Sequence, residues 1–128
     1  MKPVQWIGSS LDDLREFPEE VRSEAGHSLY LAQLGGKAIN AVPMVGFGGA
    51  NVVEVVIDSA GNTFRAVYTV RFAKAIYVLH AFQKKSKRGS KTPEPDIRLI
   101  HQRLKMAKDH YQRNYEAQER RAHGQKQS

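Results

Sequence analysis

The sequence predicts an α+β fold, in which an antiparallel meander sheet carries an N-terminal helical hairpin and a C-terminal helix. Three apolar segments between residues 52 and 82 are separated by short turns, which is the pattern of consecutive antiparallel strands. Apolar residues before residue 35 and after residue 93 instead recur at intervals of three and four, as in amphipathic helices. We expect a single domain over residues 1–115 and a polar tail over 116–128 that frays.

The first part of the chain predicts a short strand and then two helices. Pro3–Ile7 is expected to be an edge strand, because proline is tolerated at the start or the edge of a sheet. Ser9 or Ser10 can cap the first helix, and Pro18 then ends it and opens the second. Gly35-Gly36 ends the second helix, so the pair should form a hairpin laid against the sheet.

The middle of the chain predicts the meander itself. The glycine-rich segment 41–50 has neither a GxGxxG nor a P-loop spacing, so we expect an irregular connection there and no nucleotide cradle. Strands are predicted over Val52–Asp58, Phe64–Val70 and Ala75–Phe82. The third of these is apolar at nearly every position, which indicates that both of its faces are covered.

The last element is predicted to be a helix that begins near residue 93. Thr92 is a candidate N-cap, and Pro93 suits the first helical turn because its nitrogen needs no hydrogen-bond partner there. The predicted buried stripe consists of Ile97, Ile100, Leu104, Ala107 and Tyr111.

Charge is distributed unevenly along this chain of net charge +7. Residues 1–64 carry four Lys/Arg against eight Asp/Glu, whereas residues 65–128 carry sixteen against five. Five of the eight residues from Lys84 to Lys91 are cationic. A basic segment at the end of a rigid strand is suited to holding the phosphates of a nucleic acid, although a solvated loop without a ligand is an equally good interpretation of the charge alone.

Composition also excludes several classes of site. The absence of cysteine removes disulfides, thiolate metal sites and cysteine nucleophiles. The five histidines are dispersed and form no His-x-x-x-His motif, so we expect neither a metal nor another cofactor. No apolar run approaches the roughly 18 residues that span a bilayer, and the N-terminus lacks the apolar core of a signal peptide. We therefore expect a cytoplasmic protein without a membrane partner.

Four local motifs, in this order and spacing, resemble the RelE superfamily of bacterial toxins, and most closely its phage-derived HigB-like branch. They are Asp-Leu-Arg-Glu-Phe-Pro (residues 13–18), Phe-Arg-Ala-Val-Tyr (64–68), Leu-His-Ala-Phe-Gln-Lys-Lys (79–85) and Lys-Thr-Pro (91–93). The resemblance implies a RelE-like fold and a type II toxin, a ribosome-dependent endoribonuclease that cleaves translated mRNA without a metal. It also implies a cognate antitoxin, expected to be of the helix-turn-helix type, with ribosome and mRNA as further partners.

The resemblance implies roles for the cationic residues. Arg65 matches the family position that supports the scissile phosphate, whereas from the sequence alone a surface ion pair is the commoner use of a strand arginine. Lys84 and Lys85 match a basic pair at the end of the third meander strand. Because strand alternation sends them to opposite faces, we expect only one of them to be catalytic. Flanking RNA contacts are expected from Lys87, Arg88 and Lys91.

For three further side chains, the sequence allows both a functional and a structural interpretation. His80 lies across from Arg65 if the intervening turn is symmetric, and it would then be an acid–base group, whereas a packed histidine is the other interpretation. Tyr68 could stack on a base, although core packing is the commoner role of a strand tyrosine. Glu54 is a candidate general base, but an ion pair with Arg65 is favoured.

One departure from the resembling family keeps a second function open. The family often has Glu-Leu-Arg in the first meander strand, where this chain has Glu54-Val55-Val56. The missing arginine favours, as the alternative function, a non-catalytic basic protein that binds RNA, the ribosome or an antitoxin.

Overall fold

The computed structural model describes residues 1–84 and 91–117, which form one five-stranded sheet with helices on both faces. The strands are β1 (Val4–Trp6), β2 (Ala41–Pro43), β3 (Val52–Ser59), β4 (Asn62–Thr69) and β5 (Ile76–Lys84). The helices are α1 (Ser10–Arg15), α2 (Glu19–Gln33) and α3 (Glu94–Tyr111), the last continuing as a π-helical turn over Gln112–Glu116. The predicted α+β class, with its C-terminal helix, is confirmed. Most of the polar tail, residues 118–128, lies outside the described residues.

The order of strands in the sheet is β1-β5-β4-β3-β2. The predicted meander β3-β4-β5 is antiparallel throughout, and β1 is an edge strand as expected. The sheet is nevertheless mixed, because β1 pairs with β5 in parallel. The prediction of an irregular connection over residues 41–50 is wrong at its start, where β2 pairs with β3. A three-residue strand is too short to show an alternating pattern, and Pro43 is tolerated in it because β2 is an edge.

The two faces of the sheet are covered by different helices. One core lies under α1 and α2 and includes Leu14, Val21, Val55, Phe64 and Tyr68. The other lies under α3 and includes Val67, Tyr77, Leu79, Ile100 and Leu104. Strand β5 is apolar on both faces because it contributes to both cores, as its sequence predicts. None of the described helices has the length and apolarity that crossing a bilayer requires.

A break in the ladder between β4 and β5 decides which side chains face α3. Thr69 pairs with Tyr77, one residue beyond the symmetric turn assumed from the sequence, and an irregularity near Leu79 adds a second shift. Arg65 therefore lies across from Phe82 and not from His80. Because the two shifts amount to two residues, Arg65 and His80 still face the same side of the sheet.

Candidate nucleic-acid site

The ends of β4 and β5 project polar side chains toward the start of α3. Strand alternation places Arg65 on this face of β4, and it places His80, Phe82 and Lys84 on the same face of β5. Thr92, just before α3, approaches the same region. The predicted cap is wrong, because α3 begins at Glu94 with Pro93 as its N-cap, and the Thr92 hydroxyl is used elsewhere.

Arg65 is held in a buried cluster with Glu54 and Thr92. Its Nη1 lies 2.6 Å from Glu54 Oε1 and donates to Thr92 Oγ1 at 3.2 Å. Thr92 Oγ1 in turn donates to Glu54 Oε2 at 2.7 Å. The favoured interpretation of Glu54 as an ion-pair partner of Arg65 is confirmed. With Arg65 only 5% exposed, the pair sits in a low-dielectric setting that fixes the guanidinium in one position.

An open cleft of about 410 Å³ lies over this cluster, and we call it the Arg65 cleft. One wall is apolar and comes from β2, the residues after it and α3, namely Val42, Pro43, Met44, Val45 and Ile97. The other wall is polar and consists of Glu54, Arg65, Lys91, Thr92 and Glu94. Of the cations that the sequence predicts as RNA contacts, Lys91 therefore joins Arg65 in one cleft.

Lys84 is bonded to Lys91, one of the residues that line the Arg65 cleft, and its side chain is buried. Its Nζ donates to the carbonyl of Lys91 at 2.7 Å, and the residue is only 4% exposed. Burial lowers the pKa of the Lys84 amine; nearby Arg65 lowers it further, while Glu54 opposes the change. Two cations thus share one carboxylate here, and Lys84 holds its proton less firmly than an ordinary lysine does.

His80 is anchored to the start of α3 through Asp96. Its Nε2 lies 2.7 Å from Asp96 Oδ1, and its ring stacks on Phe82 with centroids 4.7 Å apart. The residue is 6% exposed, and its buried Nδ1 has no hydrogen-bond partner among the described residues.

His80 lines a second cleft of about 400 Å³, which we call the His80 cleft. Its other lining residues are Asp13, Glu16, Phe17, Phe64, Ala81, Phe82 and Gln83. Arg65 and His80 thus share a sheet face, but within the described part of the chain they line different clefts. The predicted placement of His80 directly across from a phosphate-binding arginine is not found.

Tyr68 does not join either cleft. It is 2% exposed and packs in the core under α2, on the sheet face opposite to Arg65, where burial raises its pKa. Tyr68 thus has the core-packing role that the sequence favoured, and it is not placed to stack on a base beside Arg65, because three positions along a strand reverse the side-chain direction. Lys85, Lys87 and Arg88 lie outside the described residues, and their predicted RNA contacts stay predictions.

Two contributors to the site were missed from the sequence. Thr92 was assigned to helix capping, and Asp96 lies 16 residues from His80 in an acidic first turn that has an ordinary explanation in the helix dipole. Nothing in the local pattern signals either contact, because both depend on where α3 begins and how it crosses the sheet. Between residues 1 and 84 and between 91 and 117, no group of three or more side chains of metal-binding type comes together.

Comparison with known proteins gives one match. The family model described as phage-derived protein Gp49-like (DUF891) matches residues 12–105, a range that includes the residues lining both clefts. Neither the curated proteins nor the solved structures include a match to this chain.

Proposed function

This chain belongs to the Gp49-like family of phage-derived proteins, and on that premise we propose that it is the toxin of a type II toxin–antitoxin module. The family is associated with RelE-like toxins, and all four motifs that resemble the RelE superfamily lie within the matched range. The proposed activity is ribosome-dependent cleavage of translated mRNA, in the cytoplasm and without a metal. The proposed partners are the ribosome, the mRNA and a cognate antitoxin of the helix-turn-helix type.

The observation that carries the proposal is the pairing of two cations at one cleft. Arg65 lies in the floor of the Arg65 cleft, and Lys84 is bonded to the Lys91 carbonyl. With Lys91, which also lines the cleft, the cations number three against the two carboxylates Glu54 and Glu94, and this excess of one favours an anion such as a phosphodiester. The apolar wall from residues 42–45 leaves room for the ribose or base beside that phosphate.

In the proposed reaction the ribose 2′-oxygen attacks phosphorus, its proton passes to water, and the bond to the 5′-oxygen breaks. Arg65 donates to the phosphoryl oxygens as negative charge develops on them, and Glu54 and Thr92 hold its guanidinium in place. Lys84, whose pKa is lowered, gives its proton to the departing 5′-oxygen. The products are a 2′,3′-cyclic phosphate and a 5′-hydroxyl. The proposal gives His80 no part in this step, because it lines the other cleft.

A conservative arginine substitution tests the proposal. Arg65→Lys keeps the charge next to Glu54 but loses the forked donor geometry, so we expect mRNA cleavage to fall by about 100-fold or more. The measurement maps 5′ ends on a translated and an untranslated copy of one message after induction without antitoxin. Arg22→Lys, on the exposed surface of α2, is the matched control and should cut like the wild type. Undiminished cutting by folded Arg65→Lys would remove Arg65 from the chemistry.

A second candidate function has an observation in its favour. Arg65 is already bonded to Glu54 and Thr92, and Val56, where the resembling family has arginine, lies directly across from it on β3. A site that lacks this third cation would suit a protein that binds the ribosome or RNA without cutting. In that case the wild type arrests growth without new 5′ ends, and Val56→Arg gains cuts.

A further inference from the structure

The His80 cleft lies beside the part of β5 that follows its short pairing with β1. Strand β1 pairs with β5 only over Ile76–Val78, and α1 lies against β5 in the same region. Beyond Val78, no described strand flanks β5 on that side. The cleft between this part of β5 and the end of α1 is lined by three phenyl rings, from Phe17, Phe64 and Phe82.

Two carboxylates, the imidazole of His80 and the amide of Gln83 supply the polar part of the lining. Asp13 is held in place, because its Oδ2 accepts from Ser9 Oγ at 2.7 Å and Ser9 Oγ accepts from Arg103 at 3.0 Å. Glu16, at the end of α1, is exposed. The carboxylates therefore present one oriented and one adaptable acceptor to anything that enters.

His80 also has a buried ring nitrogen, which lies behind this lining. When its Nε2–H donates to Asp96, the neutral ring has an unprotonated Nδ1 that accepts hydrogen bonds. That atom is buried and has no partner in the part of the chain that the structure describes. Because this atom is fully buried, the charged acceptors that the cleft itself offers are the two carboxylates.

The charge around the His80 cleft selects against nucleic acid. Helices α1 and α2 carry mainly acidic side chains over residues 12–24, with only two arginines among them: Asp12, Asp13, Glu16, Glu19, Glu20 and Glu24 against Arg15 and Arg22. A phosphate backbone would be repelled by this surface, whereas a cation would be attracted to it.

From this chemistry we propose that the His80 cleft binds an arginine side chain of a protein partner. The guanidinium plane stacks on a phenyl face, and its forked N–H groups reach Glu16 and Asp13. Lysine has no comparable plane or fork, so arginine is the preferred cation. The inference rests on the proposed function in one respect, since it assigns the arginine to the antitoxin.

Amide chemical shifts of the isotope-labelled chain test the site directly. The probe is Nα-acetyl-arginine N-methylamide, and its neutral isostere, the citrulline derivative, is the matched ligand control. We expect saturable shifts at Phe17, Phe64, His80 and Phe82 with the arginine probe and at least about tenfold weaker binding of the citrulline probe. Equal binding of the two probes would overturn the proposal.

A pair of charge reversals on α1 supplies the variant control. Glu16→Lys should weaken binding of the arginine probe by about tenfold or more, because it replaces an acceptor with a cation. Asp12→Lys makes the same charge change on the same helix at an exposed position that does not line the cleft, and it should bind like the wild type. Equal losses in both variants would show a general charge effect and contradict a defined site.

Two further measurements separate this inference from the proposed function. Uridine monophosphate should not shift the cleft residues; if it does so and the arginine probe does not, the occupant is RNA and the proposal is wrong. Glu16→Lys should weaken antitoxin binding and leave mRNA cleavage intact. If the chain neither cleaves mRNA nor binds an antitoxin, the proposed function fails, while saturable binding of the arginine probe still supports the site.

Discussion

Arg65 has a structural role in the fold, and the proposed reaction would give the same guanidinium a second role. Its Nη1 is bonded to both Glu54 and Thr92 within a buried cluster. Removing the guanidinium would take from the buried Glu54 carboxylate the cation that is hydrogen-bonded to it, which is unfavourable even with Lys84 nearby. A truncation of Arg65 therefore changes stability as well as chemistry, and a loss of activity has to be separated from a loss of fold.

A single and a double variant of the Arg65–Glu54 ion pair separate its contribution to stability from the proposed chemistry. We expect Arg65→Gln to lower the free energy of unfolding by about 3 kcal/mol, because the buried Glu54 carboxylate loses the cation that is hydrogen-bonded to it. The double variant Arg65→Gln/Glu54→Gln removes both charges and should recover most of that loss. Urea unfolding of both variants is the measurement, and a single variant as stable as the wild type would show that the ion pair contributes little to folding.

Lys84 gives a prediction about pH. Since its pKa is lowered in the fold, the folded chain binds fewer protons than the unfolded chain between that pKa and the ordinary lysine value of about 10.4. The free energy of unfolding of the wild type therefore rises with pH across that window, as Lys84 loses its proton in the folded chain. At pH values below the window, Lys84 is fully charged in the fold and its buried charge lowers stability by the full amount.

Lys84→Met removes the buried charge and keeps the length of the side chain. At pH 7 the variant should be at least as stable as the wild type, and any advantage should shrink as the pH rises toward the ordinary lysine value. Calorimetry of both proteins over this range measures the difference. An advantage that grows with pH would mean that the sign of the pKa change is wrong.

At the scale of elements, the irregular pairing of β5 is stabilised from α3 and from the turn before α1. Arg103 of α3 donates to the carbonyl of Leu79 at 2.9 Å, at the point where the ladder with β4 shifts. Burial lowers the pKa of Arg103, and the charge of Asp13 opposes the change. Gly8 allows the guanidinium to come close, because its φ is +57° and a Cβ there would lie 2.9 Å from Arg103 Nε.

The substitution Gly8→Ala tests this junction, and Gly26→Ala is a control for which the opposite change in stability is expected. Gly8→Ala should destabilise the protein by about 1 kcal/mol or more, because the left-handed backbone is strained for alanine and its Cβ would clash with Arg103. Gly26→Ala, inside α2 with open space around it, should stabilise by about 0.5–1 kcal/mol. Thermal unfolding of both variants is the measurement. If Gly8→Ala unfolds at the same temperature as the wild type, the backbone at residue 8 and the side chain of Arg103 accommodate the added Cβ without strain.

How much the sequence predicts differs from element to element. The meander and the stripe of α3 follow from apolar periodicity, because burial on one or two faces leaves a pattern along the chain. The shift at Leu79 leaves no such pattern, since it depends on Arg103, 24 residues away. The same holds for His80, whose partner Asp96 meets it only once α3 has crossed the sheet.

At the scale of the whole molecule, acidic and basic residues are concentrated in different parts of the fold. The acidic residues of α1 and α2 cover one face of the sheet, and the basic residues gather from β4 onward, toward the end of β5 and α3. The two clefts differ in charge in the same way: the Arg65 cleft has cations that suit a phosphate, and the His80 cleft has carboxylates that suit an arginine. A toxin that must bind RNA and also be silenced by a protein could use both surfaces independently.

The central claim is that the Arg65 cleft cleaves RNA through attack by the ribose 2′-hydroxyl. The most direct measurement uses a purified translation system and one message, in its natural form and with a single 2′-deoxynucleotide 5′ of a mapped cut. We predict that the natural message is cut at that position only while it is translated, leaving a 2′,3′-cyclic phosphate, and that the 2′-deoxy message is not cut there. Cleavage of both messages at the same position would contradict the proposed chemistry.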